Sequence, residues 1–266
     1  MPEIPDIDRI LFLDIETAPL YRKLESVPEP LRTYWENRYG QHSPRSETED
    51  SETYFLERSG IHALYARVVC IGVGFFHREN SGWAWRAKLF KDLDEKKLLQ
   101  DFLAVWNSSS EYFSKKQGPI WAICGHNIRN FDLPFLGRRL ILQGLPLPPF
   151  WRAAQYSQPW QLRDPMVIDT MLLWNFTSWD PGRYISLEML AYAVGIPFQK
   201  SLTHTDIREA FYSWQETGDE SAFEPVVQYC LQDVRTTAEI FVRLQVPLEQ
   251  QEALLEALAK SSEPEP

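Results

Sequence analysis

The sequence predicts a single α/β domain: a mixed five-stranded sheet, three antiparallel strands followed by parallel additions, flanked by helices. Three observations predict it. Apolar, β-branched runs come early and in quick succession, a strand-then-helix rhythm occupies the middle, and from Ser186 onward the chain reads as helix alone. At 266 residues it is long enough to bury one sizeable core.

RILFLDIE (9–16) reads as a buried strand. A polar insertion follows at about 18–60, with a short helix around LRTYWENRYG and the acidic-polar run QHSPRSETEDSET. RVVCIGVGFF (67–76) and the alternating GWAWRAKLF (82–90) make two further strands joined by the turn-like HRENS, so the three early strands form a meander. Leu98, Leu99, Phe102, Leu103 and Val105 fall near one side of a helix predicted from Leu93 to Trp106. PIWAICG (119–125) is then a strand and LPFLGRRLILQ a helix, the order that a parallel crossover requires. Pro-rich GLPLPPFW (144–151) reads as a loop and MVID (166–169) as the last strand. Helices follow at SLEMLAYAVG, at TDIREAFYSWQ and from about Phe223 to Leu244. The long one starts either at a Ser221–Glu224 capping box or with Pro225 in its first turn. The domain is expected to span 1–247, with a short helix (LEQQEALLEALAK) and a frayed acidic tail over 248–266.

Bulk properties narrow the function classes. A net charge of -10 argues against broad adhesion to duplex DNA, which needs Lys and Arg laid along phosphates. A protein that grips only a strand end, with cations supplied locally, needs far fewer. Cys70, Cys124 and Cys230 are odd in number, lack metal-like spacing and lie in apolar segments, so they read as small buried hydrophobes in a reducing cytoplasm. The N-terminus lacks a signal-like apolar stretch and no segment approaches about 18 consecutive apolar residues, so no membrane is expected as a partner.

The chemistry resides in five residues. In a strand, positions two apart share a face, so Asp14 and Glu16 project together while Leu13 and Ile15 face the other way. Two acids beside a core cost several kcal/mol unless cations or donors compensate, and divalent metal would do so. Asp132, after Phe131 and before Leu133-Pro134, sits at a strand-loop-helix junction. Tyr229 and Asp233 stack one turn apart on the long helix, beside the stripe of Val226, Cys230, Val234 and Phe241. Taken singly, each admits a plain structural role: a solvated strand end, a helix N-cap, a core-edge tyrosine with a solvated acid. Together they offer what two-metal phosphodiester chemistry needs, three or four hard oxygen ligands drawn from separate elements.

Other features carry less. His126 suits a hydrogen-bonded structural role, and His42, His62, His77 and His204 form no zinc-like spacing. Trp83, Trp85, Trp121, Trp160, Trp174 and Trp179 are core or loop packing, with one or two available to stack bases. Gly72 and Gly74 lack the setting of a dinucleotide loop.

FLDIET, RVVCIGVGF, GHNIRNFDLPFLGRR, IDTMLLW, SLEMLAYAVGIP and YCLQDVRTTAEIFVRL, in that order, resemble the DEDD superfamily of 3′-to-5′ exonucleases, built on a ribonuclease H-like fold. Tyr229 in Tyr-x-x-x-Asp resembles the DEDDy branch. The nearest resemblance is to stand-alone bacterial proteins described as predicted exonucleases related to the proofreading domain of family-B DNA polymerases. That likeness implies two ions of Mg2+ or Mn2+ per site. Asp14, Glu16 and Asp233 would bind the catalytic one, Asp14 would bridge to the second, and Asp132 would hold that second ion directly or through water. Tyr229 would orient the attacking water, Asn127 and Phe131 would lie beside the scissile end, and Thr17 near the terminal nucleotide. Lys200 and His204 match a basic or polar loop near the site only loosely. The implied activity is removal of nucleotides from the 3′ end of single-stranded DNA, releasing 5′-nucleoside monophosphates. The acids and the tyrosine do not read the sugar, so a 3′-to-5′ exoribonuclease stays open, as does a non-catalytic nucleic-acid-binding module.

Overall fold

A computed structural model of the protein describes residues 6–40, 51–115, 121–156, 165–176, 184–197 and 201–261. Its strands are β1 (Ile10–Pro19), β2 (Ala66–Glu79), β3 (Gly82–Lys91), β4 (Ala122–Gly125) and β5 (Met166–Asp169). They form one sheet in the order β3-β2-β1-β4-β5. The β3-β2-β1 half is antiparallel; β4 and β5 add in parallel, with Phe12 opposite Cys124 and Gly125 opposite Asp169. This is the mixed sheet that the sequence predicts, with β1 at its centre.

The alternation along β1 assigns its two faces. Leu11, Leu13 and Ile15 turn to one side, where they meet helices α3 (Glu95–Lys115), α4 (Asp132–Leu142) and α5 (Pro149–Ala154). Ile10 and Phe12 turn to the other, against α9 (Glu224–Gln245) and α10 (Leu248–Lys260). The carboxylates of β1 therefore share a face with α9. Among the described residues, no helix is long and apolar enough to cross a membrane.

Several elements differ from expectation. β2 continues to Glu79 and β3 starts at Gly82, so Asn80 and Ser81 alone make the turn predicted for HRENS. Gly82 permits it with φ 128°, a conformation that side-chain-bearing residues avoid. The Pro-rich loop contains α5, because Pro149 occupies its first turn, where a missing N–H costs nothing. α3 runs past Trp106 to Lys115. The long helix begins at Glu224 with Pro225 in its first turn, and Asp219 caps the short 3-10 turn before it. The capping box is not the start signal.

The insertion at about 18–60 is polar in composition, yet its described residues build a small core. α1 (Glu29–Trp35), a π-turn (Glu36–Gly40) and α2 (Ser51–Arg58) surround Trp35 with the rings of Tyr39, Tyr54, Phe55, His62 and Tyr65, at centroid distances of 4.6 to 6.2 Å. Two bonds tie this unit to the end of β1: the Thr17 hydroxyl donates to the Gly60 carbonyl at 2.8 Å, and the Leu20 amide to that of Tyr65 at 2.7 Å. His42, Lys200, Trp160, Trp179, residues 119–120 of the predicted strand and the acidic tail over 262–266 lie outside the described residues.

Candidate active site

Asp14 and Glu16 stand on β1 opposite Gly72 and Cys70 of β2, with a register shift between Glu16 and Thr17. α9 crosses this face closely. A Cβ built on Gly72 would lie 2.9 Å from Val234 Cγ2 and 3.0 Å from Cys230 Sγ, so only glycine admits the helix at this depth. The close approach is what delivers Asp233. Carboxylate oxygens of Asp14, Glu16 and Asp233 all lie within 4.8 Å of one another. Cys230 reinforces the contact, its thiol donating toward the Asp14 carbonyl and carboxylate at 3.8 and 3.9 Å. All three cysteines are free and buried, as their apolar settings predict.

Gly72→Ala tests this packing. We expect a loss of about 1–3 kcal/mol, the ordinary cost of overpacking, read as a lower urea midpoint. An unchanged midpoint would mean that α9 lifts from β2 without cost.

Asp132 is the first residue of α4 and 3% exposed. Its side chain does not cap the helix. Instead its Oδ1 accepts the Ile15 amide at 3.2 Å, between the two acids of β1. The parallel pairing of β1 with β4 ends at Phe12 and Cys124, so Asp132 supplies an acceptor that the strand no longer provides. Asp132 thus adjoins the three-acid cluster without being one of the three converging groups.

Tyr229 lies on α9 one turn before Asp233, 6% exposed, and hydrogen-bonds the Asp233 carboxylate. Burial and the surrounding acids push its phenol far above the usual tyrosine range, so it stays protonated and donates.

The loop between β4 and α4 is held by a residue that sequence reasoning missed. Asp169, at the end of β5 and 2% exposed, accepts the amides of Asn127 (3.0 Å), Arg129 (3.2 Å) and Met171 (3.1 Å). It caps helix α6 (Thr170–Trp174) and cradles the segment carrying Asn127, Phe131 and Asp132. The available signal was an Asp-Thr pair where strand meets helix. Asn127 is half-buried in the left-handed region, φ 57°, and accepts from the Asn130 side chain at 2.9 Å. Phe131 packs its ring 5.5 Å from that of Phe135, and Thr17 gives its hydroxyl proton to Gly60. His126 is hydrogen-bonded on both ring nitrogens, to Thr170 and to the Ile185 carbonyl, each at 2.9 Å. His204 is the exposed first residue of helix α8 (His204–Thr217). Trp85 and Trp121 are buried in the core.

The electrostatics test whether a cation fits. Burial first, then the negative charges of Asp132, Glu16 and Asp233, hold Asp14 well above the usual carboxylate range, and every charge acting on it is negative. Burial raises Asp132 to about 7. Carboxylate oxygens that converge in a buried, negative field are hard donors of the kind that divalent Mg2+ or Mn2+ takes.

These shifts carry a sign for stability. Folded pKa values above the unfolded value of about 3.9 mean that the native state binds more protons, so stability falls as pH rises from about 4 through 7. In chelator the melting temperature should drop across that window. Mn2+ should raise it more at pH 8, where the acids are ionised, than at pH 5. Equal metal-induced shifts at the two pH values, measured by differential scanning fluorimetry, would contradict the assignment of the ligands.

A family model described as the RNase_H superfamily matches residues 54–245. The match takes in β2 to β5, Asp132, Tyr229 and Asp233, and starts downstream of Asp14 and Glu16. No curated protein matches the chain.

Proposed function

The chain belongs to the ribonuclease H superfamily, and from that premise we propose that it is a metal-dependent 3′-to-5′ exonuclease of the DEDDy type, acting on single-stranded DNA. Superfamily membership supports a nuclease-type activity. The finer reading rests on one observation: Asp14, Glu16 and Asp233 converge within 4.8 Å beside Asp132, with a protonated tyrosine on Asp233.

In this reading Asp14, Glu16 and Asp233 would hold one divalent ion, and Asp132 would help to hold a second, directly or through water. Mg2+ or Mn2+ bound there would supply charge neutralisation and Lewis-acid polarisation. The remaining work falls to the chain. Tyr229 donates to Asp233 and keeps a lone pair on the same oxygen to orient the attacking water. Asp169 holds the Asn127–Asp132 segment so that Asn127 and Phe131 border the terminal phosphodiester, with Thr17 near the terminal nucleotide. Water attacks phosphorus in line, the bond to the 3′ oxygen of the preceding nucleotide breaks, and that oxygen takes a proton. The products are a 5′-nucleoside monophosphate and a strand one unit shorter. Three free thiols suit the reducing cytoplasm in which we expect it to act.

Purified protein with 5′-labelled DNA should give a ladder shortening from the 3′ end, with Mg2+ or Mn2+ and not in chelator. A matched RNA strand run in parallel separates the sugar preference. Cleavage within a 3′-blocked strand, or none with either metal, would defeat the proposal.

A further inference from the structure

A cleft of about 340 Å3 opens between α4, α5 and β5, and Asp14, Glu16, Asp132 and Asp233 do not line it. Leu133, Leu147, Phe150, Trp151 and Val167 form its walls. Trp151 is pinned, its indole donating to the Leu133 carbonyl at 2.9 Å and its ring packed 4.5 Å from that of Trp106. Walls so held keep the cleft open rather than collapsing into it. Its volume falls at the small end of the range for organic ligands.

Two guanidiniums, Arg129 and Arg138, line this apolar space, and no Asp or Glu among the described residues does. In a chain of net charge -10 that is a local reversal of sign. Arg138 is exposed and forms no ion pair or hydrogen bond among the described residues. Arg129 is half-buried: its Nη2 donates to the Val167 carbonyl at 2.5 Å, its Nε is buried without an acceptor, and its Nη1 has none among the described residues. Asp169 is the acid whose charge reaches it, and that carboxylate already accepts three backbone amides. A guanidinium drawn out of water with donors unfilled is costly, and an anion relieves it.

Walls and cations together select the ligand. Inorganic phosphate would gain from the arginines but give up its water for walls that offer it nothing, and a neutral ring would fill the walls while leaving the arginines as they are. A compact organic anion, an apolar body carrying one carboxylate or phosphate, answers both.

We propose that this cleft binds such a molecule, its body against Leu133, Phe150, Trp151 and Val167 and its anionic group at Arg129 and Arg138. Leu133 directly follows Asp132, so an occupant contacts the helix that carries this acid. The site does not rest on the exonuclease reading and stands if that reading fails.

The probe is 2-naphthoate, an aromatic carboxylate of suitable size, with 2-naphthamide as its uncharged match and inorganic phosphate as the anion without a body. Titration calorimetry is run in metal-free buffer, where the carboxylate cluster offers an anion only like charge. Naphthoate should bind with a Kd on the order of 0.1–1 mM, naphthamide at least about tenfold more weakly, and phosphate without measurable heat. Arg138→Met should weaken naphthoate about three- to fivefold. Ala154→Trp, which narrows the cleft from an exposed position on α5, should weaken it at least about tenfold. Wild-type melting temperatures check that both variants are folded. Naphthamide or phosphate binding as tightly as naphthoate overturns the proposal, as does no naphthoate binding at all. Naphthoate affinity that neither variant changes overturns it as well, because the molecule then sits elsewhere.

Discussion

Asp14→Asn should lower metal-dependent hydrolysis on the order of a thousandfold, the scale on which one preorganised electrostatic group matters in a transition state. The same substitution should raise the melting temperature of the metal-free protein at pH 8. Both effects have one cause. Asp14 is pushed above the carboxylate range by burial and by three neighbouring acids, so an amide of the same shape removes a charge that the apo fold must otherwise tolerate. A residue retained for stability would behave oppositely, losing melting temperature along with activity. Full hydrolysis by Asp14→Asn, or a drop in its apo melting temperature, would remove Asp14 from the ligand set.

Arg139→Met should destabilise the fold by about 3–5 kcal/mol, the scale for breaking a buried ion pair from one side. Against a total of roughly 5–15 kcal/mol for a native domain, that is a large fraction. Arg139 and Glu95 are 5% and 3% exposed and paired through two bonds, at 2.9 and 2.5 Å. Each is otherwise satisfied: Glu95 accepts the Val68 amide and the Gln143 side chain, and Arg139 donates to the Ala63 carbonyl. The cluster joins α3, α4 and β2 on the face opposite the carboxylates, and α4 carries Asp132 two turns before Arg139. Glu95→Met/Arg139→Met should recover most of the loss, because the cost lies in the orphaned carboxylate rather than in the missing pair. Urea midpoints of the single and double variants decide; a single variant as stable as wild type would show that water reaches Glu95.

Much of this was legible beforehand because it depends on short-range periodicity. Alternation in RILFLDIE assigns Asp14 and Glu16 to one face, and the four-residue step on α9 stacks Tyr229 with Asp233. The strand-then-helix rhythm predicts that β4 and β5 pair in parallel. The Trp35 core escaped notice, because its apolar residues are scattered through a polar segment and meet only when α1, α2 and the approach to β2 pack together. Asp169 escaped for a related reason: two of the amides that it accepts lie some forty residues earlier in the chain.

By itself, then, the sequence determined the strands of a mixed sheet, the shared face of Asp14 and Glu16 and the helix turn that stacks Tyr229 with Asp233, since each follows from backbone geometry repeated over a few residues; the strand order is a tertiary outcome. Tertiary structure alone decided that Asp132 turns to the Ile15 amide rather than capping its own helix. It also decided that Gly72 lets α9 close on Asp14. Those outcomes depend on contacts between distant segments, where the winning partner is set by which strand ends first and how closely a helix can approach.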